Sequence, residues 1–147
     1  MEQFTFEELS VGHVIDGPSV SVTEEMIEEF AEASLDYNAL HLDQQFMEKD
    51  FGKTKFRGVI AHGMMTFSIM TRMMTDWLWP LRRIHRRMET RWLKPVYPGD
   101  NITATATIIQ KKETLKGKWL LFNLEVKNQN GELVASGQSM AECPERS

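Results

Sequence analysis

The sequence lacks several features that would place the protein in a specialised class. Cys143 is the single cysteine, so no intramolecular disulfide can form and a reducing, cytoplasmic compartment is expected. The N-terminal residues MEQFTFEEL have no basic stretch followed by an apolar run, which argues against a signal peptide. The most apolar segment, Met64 to Leu81, is interrupted by hydroxyl and charged residues, so we expect no membrane span.

Charge and motif content exclude further classes. The net charge is −4 and the pI about 5.6, which argues against a general role in nucleic-acid binding. No phosphate-binding loop or dinucleotide fingerprint occurs, and the four histidines have no metal-ligand spacing. We therefore expect neither a metal nor a redox cofactor. The four are His13, His41, His62 and His85.

The composition is that of an ordinary globular protein. The 147 residues are 41% apolar and 26% charged, which predicts a single domain over residues 1–147. The first 22 residues predict a short strand around HVIDG to SVSV. A helix then begins at Thr23 or Ser21 as the capping residue. Its apolar stripe is Met26, Ile27, Phe30 and Ala31.

The rest of the chain predicts one long helix followed by strands. A short helical turn from Asp43 to about Lys49 and a glycine-punctuated loop, residues 51–63, come first. The spacing of apolar residues then predicts a helix from Gly63 to Trp79 that is buried nearly all round, ending at Pro80. Four strands follow, the last two joined at Asn130-Gly131. This order predicts an α+β fold, with one helix wrapped by a strongly curved antiparallel sheet.

The stretch SLDYNALHLDQQF holds an aspartate and a histidine whose spacing raises a question. Asp36 and His41 are five positions apart. A continuous helix would set them about 140° apart, so they would share no face. A carboxylate and a histidine near neutral pKa could activate one water if a turn around Asn38 brought them together. The spacing alone equally allows a helix cap or a solvated surface.

Three segments, in order and with matching spacing, resemble one family. DYNALHLD resembles the D-x-N-P-x-H-x-D motif of MaoC-like dehydratases, the (R)-specific enoyl-CoA hydratases. GVIAHGMMT resembles their I-A-H-G-M segment, and RWLKPVYPGDNI their P-V-x-P-G-D strand and turn. Ala39 departs from the pattern, because the family usually has proline there. The resemblance implies a hot-dog fold, a homodimer or higher homo-oligomer, and hydration of a trans-2-enoyl-CoA, with coenzyme A as part of the substrate.

The resemblance also implies roles for individual residues. Asp36 and His41 would be the catalytic pair, and the Gly63 N–H would polarise the thioester carbonyl. Asn38, His62 and Thr71 complete the expected substrate-binding set. A structural hydrogen bond is the favoured interpretation of His62, and Thr71 could instead bond back to its own helix. Asp43 is expected to be a helix cap.

Two questions stay open at the level of sequence. The basic cluster could bind the phosphates of coenzyme A or form an outward strand at a dimer rim. Its members are Arg82, Arg83, Arg86, Arg87 and Arg91. The activity could also be that of an acyl-CoA thioesterase of the same fold, or the protein could bind acyl-CoA without turnover.

Overall fold

One antiparallel sheet and a long helix form the body of the protein, whose computed structural model describes residues 4–49 and 56–144. The helices are α1 (Glu24–Ser34), α2 (Ala39–Leu42), α3 (Gln44–Lys49) and α4 (Gly63–Leu78), followed by a 3₁₀ turn (Trp79–Leu81). The strands are β1 (Val14–Ser21), β2 (Ile84–Trp92), β3 (Asn101–Thr114), β4 (Gly117–Lys127) and β5 (Leu133–Cys143). Of the predicted glycine-punctuated loop, residues 51–55 lie outside the described residues.

The sheet curves around helix α4. Its strand order is β1-β3-β4-β5-β2, and all four pairings are antiparallel. Strands β1 and β2 lie at opposite edges, which a flat sheet would hold about 19 Å apart at about 4.8 Å per strand. Helix α4 nevertheless contacts both of them. The predicted α+β arrangement, a long helix in a curved antiparallel sheet, is therefore confirmed.

Alternating residues of β3 and the methionines of α4 build the core. Ile102, Ala104, Ala106 and Ile108 are at most 1% exposed, as the period-two alternation predicts. On the helix, Met70, Met73 and Met74 are at most 2% exposed. Trp77 meets Phe122 of β4 edge-on, with ring centroids 5.6 Å apart. This packing fixes α4 against the sheet and so fixes the position of its first residue, Gly63.

The segment before α4 is held by local caps. The Thr23 side chain accepts a hydrogen bond from the Met26 N–H at 3.1 Å, so Thr23 is the cap of α1. The predicted cap Asp43 accepts from the Phe46 N–H at 2.9 Å. Between them, the expected non-helical turn is in part a helix, because Asn38 caps the four residues of α2. None of the described helices is long and apolar enough to cross a bilayer.

Candidate active site

The loop that joins α1 to α2 carries Asp36. Helix α1 is followed by its C-cap residue Leu35, which adopts a left-handed conformation with φ of 59° and turns the chain sharply. The side chain of Asp36 follows this turn and is exposed to solvent. Asn38 then accepts a hydrogen bond from the Leu40 N–H at 3.0 Å and starts α2. The turn and the cap together leave the Asp36 carboxylate at the edge of a cavity.

His41 lies in α2, and its ring is oriented by a backbone carbonyl. The Nδ1 atom is 2.7 Å from the Ile60 carbonyl oxygen. A carbonyl oxygen only accepts, so Nδ1 carries the proton and the neutral ring keeps a lone pair on Nε2. The Ile60 N–H in turn donates to the Leu40 carbonyl at 3.1 Å. These two bonds tie α2 to the segment that leads into α4.

The buried ring of His62 connects the two halves of the site. This side chain is 1% exposed, and its Nε2–H donates to the backbone carbonyl of Asp36 at 2.9 Å. Its ring stacks on that of His41, with centroids 3.8 Å apart and planes at 26°. Its Nδ1 atom is buried with no hydrogen-bond partner in the part of the chain that the structure describes. His62 therefore supports Asp36 through the backbone and His41 through ring contact, as the favoured structural interpretation predicts.

The surroundings of His41 favour its neutral form. Burial lowers the pKa of His41 below its ordinary value, the hydrogen bond to Ile60 raises it, His62 lowers it, and the Asp36 carboxylate raises it. The net pKa shift is downward. A neutral imidazole with a free lone pair is the form that can take a proton from water near neutral pH.

Asp36, His41 and His62 also form the group of side chains that comes nearest to a metal site among the described residues. Their possible ligand atoms lie within 4.8 Å of one another. The two rings are stacked with their planes only 26° apart, however, so their in-plane lone pairs lie in nearly parallel planes. A tetrahedral metal needs lone pairs that converge on one point. Ring rotation would be required before both imidazoles could bind the same ion.

Helix α4 begins at the same cavity. Gly63 is its first residue, so the Gly63 N–H has no hydrogen-bond acceptor within the helix. The Trp92 indole N–H donates to the Gly63 carbonyl at 2.7 Å. A Cβ added to Gly63 would lie 2.7 Å from Trp92 Cε2, so glycine is the residue that lets this ring pack here.

The cavity that unites these groups has a volume of about 410 Å³. Asp36, His41, His62 and Gly63 line it, so the structure brings four of the predicted site residues together. The described lining includes neither Asn38 nor Thr71. Asn38 caps α2, and the Thr71 hydroxyl donates to the Phe67 carbonyl at 3.0 Å, which is the alternative that the sequence allowed. The remaining walls are largely apolar, from residues such as Ile60, Leu93, Val96 and Val134.

Trp92 and Lys94 are among the lining residues that were not predicted as site residues, and one predicted cluster lies elsewhere. Both belong to RWLKPVYPGD, the segment that resembles the family's strand and turn, and a bulky aromatic residue just before the turn was the available signal. In the basic cluster, Arg83 donates to the Phe4 carbonyl at 2.6 Å and Arg86 pairs with Glu142. Neither side chain is among the described lining residues.

Comparison with known proteins identifies the family. The sequence profile of the MaoC like domain matches residues 7–128. The chain belongs to the MaoC-like family. This MaoC-like chain is 30% identical over 138 residues to the mitochondrial 3-hydroxyacyl-[acyl-carrier-protein] dehydratase of Arabidopsis thaliana, covering 92% of this chain and 78% of that protein. It is 28% identical over 115 residues to the (R)-specific enoyl-CoA hydratase of Aeromonas caviae, covering 78% of this chain and 81% of that protein.

The comparison of structures agrees with the sequence comparison. A crystal structure of the monoamine oxidase regulatory protein from Archaeoglobus superposes with a TM-score of 0.85 at 32% identity, covering 99% of this chain and 97% of that one. The MaoC-like chain thus has the hot-dog fold that its sequence motifs implied, and the family prediction is confirmed. The two curated relatives are named for a dehydratase and a hydratase, and for different thioester carriers.

Proposed function

We propose that this protein is an (R)-specific enoyl-CoA hydratase, which reversibly adds water to a trans-2-enoyl-CoA to give an (R)-3-hydroxyacyl-CoA. One observation carries the proposal. Asp36 and His41, whose neutral ring leaves Nε2 open, line the same cavity as Gly63, the first residue of α4. A water-activating pair and a donor for a developing negative charge are the two functions that hydration of a conjugated thioester needs.

Asp36 and His41 are proposed to carry out two proton transfers, one from water and one to the substrate. One water is bound between His41 Nε2 and the Asp36 carboxylate, and one of its protons is removed as its oxygen bonds to C3 of the enoyl group. A proton is delivered to C2, so water is added without gain or loss of electrons. Because the two groups share the water, the pair acts as a unit. Dehydration runs through the same steps in reverse.

The thioester carbonyl is stabilised at the start of α4. Negative charge develops on its oxygen as the enolate-like intermediate forms. The Gly63 N–H and the positive end of the 16-residue helix stabilise that charge. The Trp92 indole holds the Gly63 carbonyl, so the direction of the peptide unit at the helix start is restrained.

The proposal is tested by following crotonyl-CoA with two readouts at once. We expect the enoyl absorbance to fall without release of free thiol, and an (R)-specific dehydrogenase to oxidise the product. Thiol release at the same rate as the absorbance change would instead favour a thioesterase of this fold. Binding of the ester with neither signal, across a panel of enoyl chain lengths, would favour a non-catalytic acyl-CoA-binding protein.

We also propose that the active protein is a homodimer that needs no metal. Strand β2 is an edge strand, and the apolar side chains of its end residues Ile84 and Trp92 and of the following Leu93 are between 41% and 54% exposed. Light scattering after size exclusion should give twice the chain mass, and a monomer would contradict the proposal.

Hydration should be unchanged after dialysis against EDTA, and lost activity restored by a divalent ion would overturn the metal-free expectation. The absence of nucleic-acid binding and a cytoplasmic location stay predictions.

A further inference from the structure

A cation lies on the wall of the candidate cavity. Lys94 is the single lysine or arginine among the described residues that line it. Its backbone is anchored to β5, since the N–H groups of Leu93 and Lys94 both donate to the Val134 carbonyl, at 2.8 and 3.2 Å. Its ammonium group pairs with Glu132 at 2.5 Å, and about half of each side chain is exposed, 50% and 44%. The pair therefore stands where the cavity meets solvent.

A second cation, Arg57, lies in a segment that borders the cavity. The Arg57 N–H donates to the Tyr97 hydroxyl at 3.2 Å, and the adjacent residues Phe56 and Val96 line the cavity. The pKa of Glu132 lies below its ordinary value because Lys94 and Asn128 donate hydrogen bonds to it, and the charges of Lys94 and Arg57 add to this lowering. Arg57, Lys94 and Glu132, which we call the rim group, carry formal charges that sum to +1.

The charges elsewhere on the protein are arranged differently. The face of α1 that borders the α2 region exposes the glutamates Glu25, Glu28, Glu29 and Glu32. In the arginine cluster of β2, Arg83 is 5% exposed and bonded to a backbone carbonyl, and Arg86 is paired with Glu142. The α1 glutamates would repel an acidic carrier protein that docked on that face, whereas a small phosphorylated carrier needs only the rim group.

We propose that Arg57 and Lys94 bind the phosphate groups of the coenzyme A portion of the substrate, with Glu132 as the counter-ion that the phosphates displace. The inference rests on the proposed function, because it places the thioester at Gly63 and the carrier toward the rim. Arginine and lysine recognise phosphate oxygens through charge-assisted hydrogen bonds. In the free protein Glu132 keeps the Lys94 side chain at the rim without burying its charge.

The test compares two esters that share the reacting end and differ in phosphate. Crotonyl-CoA carries the phosphates, and crotonyl-pantetheine has none. The variants are Arg57→Gln, Lys94→Gln and Glu132→Gln. Lys112→Gln is the matched control, because Lys112 is exposed and lies far from the rim. In the sheet register Lys112 is opposite Trp119, and Trp119 is opposite Glu142, at the end of β5 away from Leu133. The quantity measured is kcat/KM for each ester at low and high salt.

The expected result has a sign for each variant. Arg57→Gln and Lys94→Gln should each lower kcat/KM for crotonyl-CoA about threefold, the size usual for an exposed charge pair. Glu132→Gln should raise it by a similar factor, since it frees Lys94. All three variants should leave kcat/KM for crotonyl-pantetheine unchanged. High salt should lower kcat/KM for crotonyl-CoA only. Equal effects on both esters, or a decrease with Glu132→Gln, would overturn the inference.

Failure of the proposed function is distinguishable from failure of this inference. If the wild-type protein hydrates neither ester, the proposed function fails, and the rim group is then tested by calorimetry with free coenzyme A. Weaker binding by Arg57→Gln and Lys94→Gln, but not by Lys112→Gln, supports the phosphate site. Equal affinity in all variants contradicts it.

Discussion

The two sides of the candidate site are built in different ways. The loop and short helix from Ser34 to Leu42 expose most of their side chains; besides the local Asn38 cap of α2, they are bonded to Ile60 and His62 in the segment before α4. The start of α4 is held by contacts from distant parts of the chain. Ala61 N–H donates to Val96, His62 to Asp36, and Trp92 to Gly63. The groups proposed to move protons thus lie on the exposed segment, and the buried segment positions them.

The largest expected effect is on the exposed side of this comparison. Asp36→Ala and His41→Ala should each lower turnover of crotonyl-CoA by roughly 10²- to 10⁴-fold, because each removes a group that transfers a proton. Asp36 is exposed, so its variant should unfold at nearly the wild-type denaturant concentration. Steady-state kinetics and urea unfolding check both points. Glu113→Ala, an exposed carboxylate at the far hairpin, is the control that should leave turnover intact. Wild-type rates for either site variant would contradict the assignment.

The buried side should respond in stability as well as activity. Gly63→Ala places a Cβ 2.7 Å from the Trp92 ring, so the ring must move and its hydrogen bond to Gly63 is lost. We expect the free energy of unfolding to fall by about 1–3 kcal/mol. In a Trp92→Ala background the same change should be neutral or slightly stabilising, since alanine favours a helix over glycine. An equal loss in both backgrounds would show that the ring contact is not the cause.

A smaller and opposite effect is expected where the exposed side begins. Leu35 is 74% exposed and adopts φ of 59°, a conformation that is strained for a residue with a Cβ. Leu35→Gly should therefore raise the free energy of unfolding by about 1 kcal/mol. Leu35→Ala, which keeps the Cβ, serves as the control and should not stabilise. If both variants change stability alike in urea unfolding, backbone strain at this turn is not their cause.

The smallest effect concerns pH. Because burial lowers the pKa of His41, the ring stays neutral below the ordinary histidine pKa. As the pH is lowered, kcat/KM should therefore begin to decrease only below about pH 6.5, the ordinary histidine pKa. Rates measured from mildly acidic to neutral pH check this. The residual activity of His41→Ala should lack that decrease, and a decrease that begins above the ordinary value would contradict a neutral ring favoured by burial.

The sequence predicts features that depend on residues close together in the chain better than contacts between distant residues. The methionine spacing and Pro80 were enough for α4, and the alternation from Ile102 to Ile108 was enough for β3. Helix α2 has only four residues, too few for a period to be seen. The contacts that complete the site join residues 26 and 29 positions apart, His62 to Asp36 and Trp92 to Gly63. No local pattern encodes such pairs, so their partners emerged only in three dimensions.

A double-mutant cycle on kcat/KM for crotonyl-CoA tests most directly whether Asp36 and His41 act on one water. Wild type, Asp36→Ala, His41→Ala and the double variant are compared under the same conditions. If the pair works as a unit, the double variant should be about as slow as the slower single variant. Losses that multiply in the double variant would mean that the two side chains act independently, and that result would contradict a shared water.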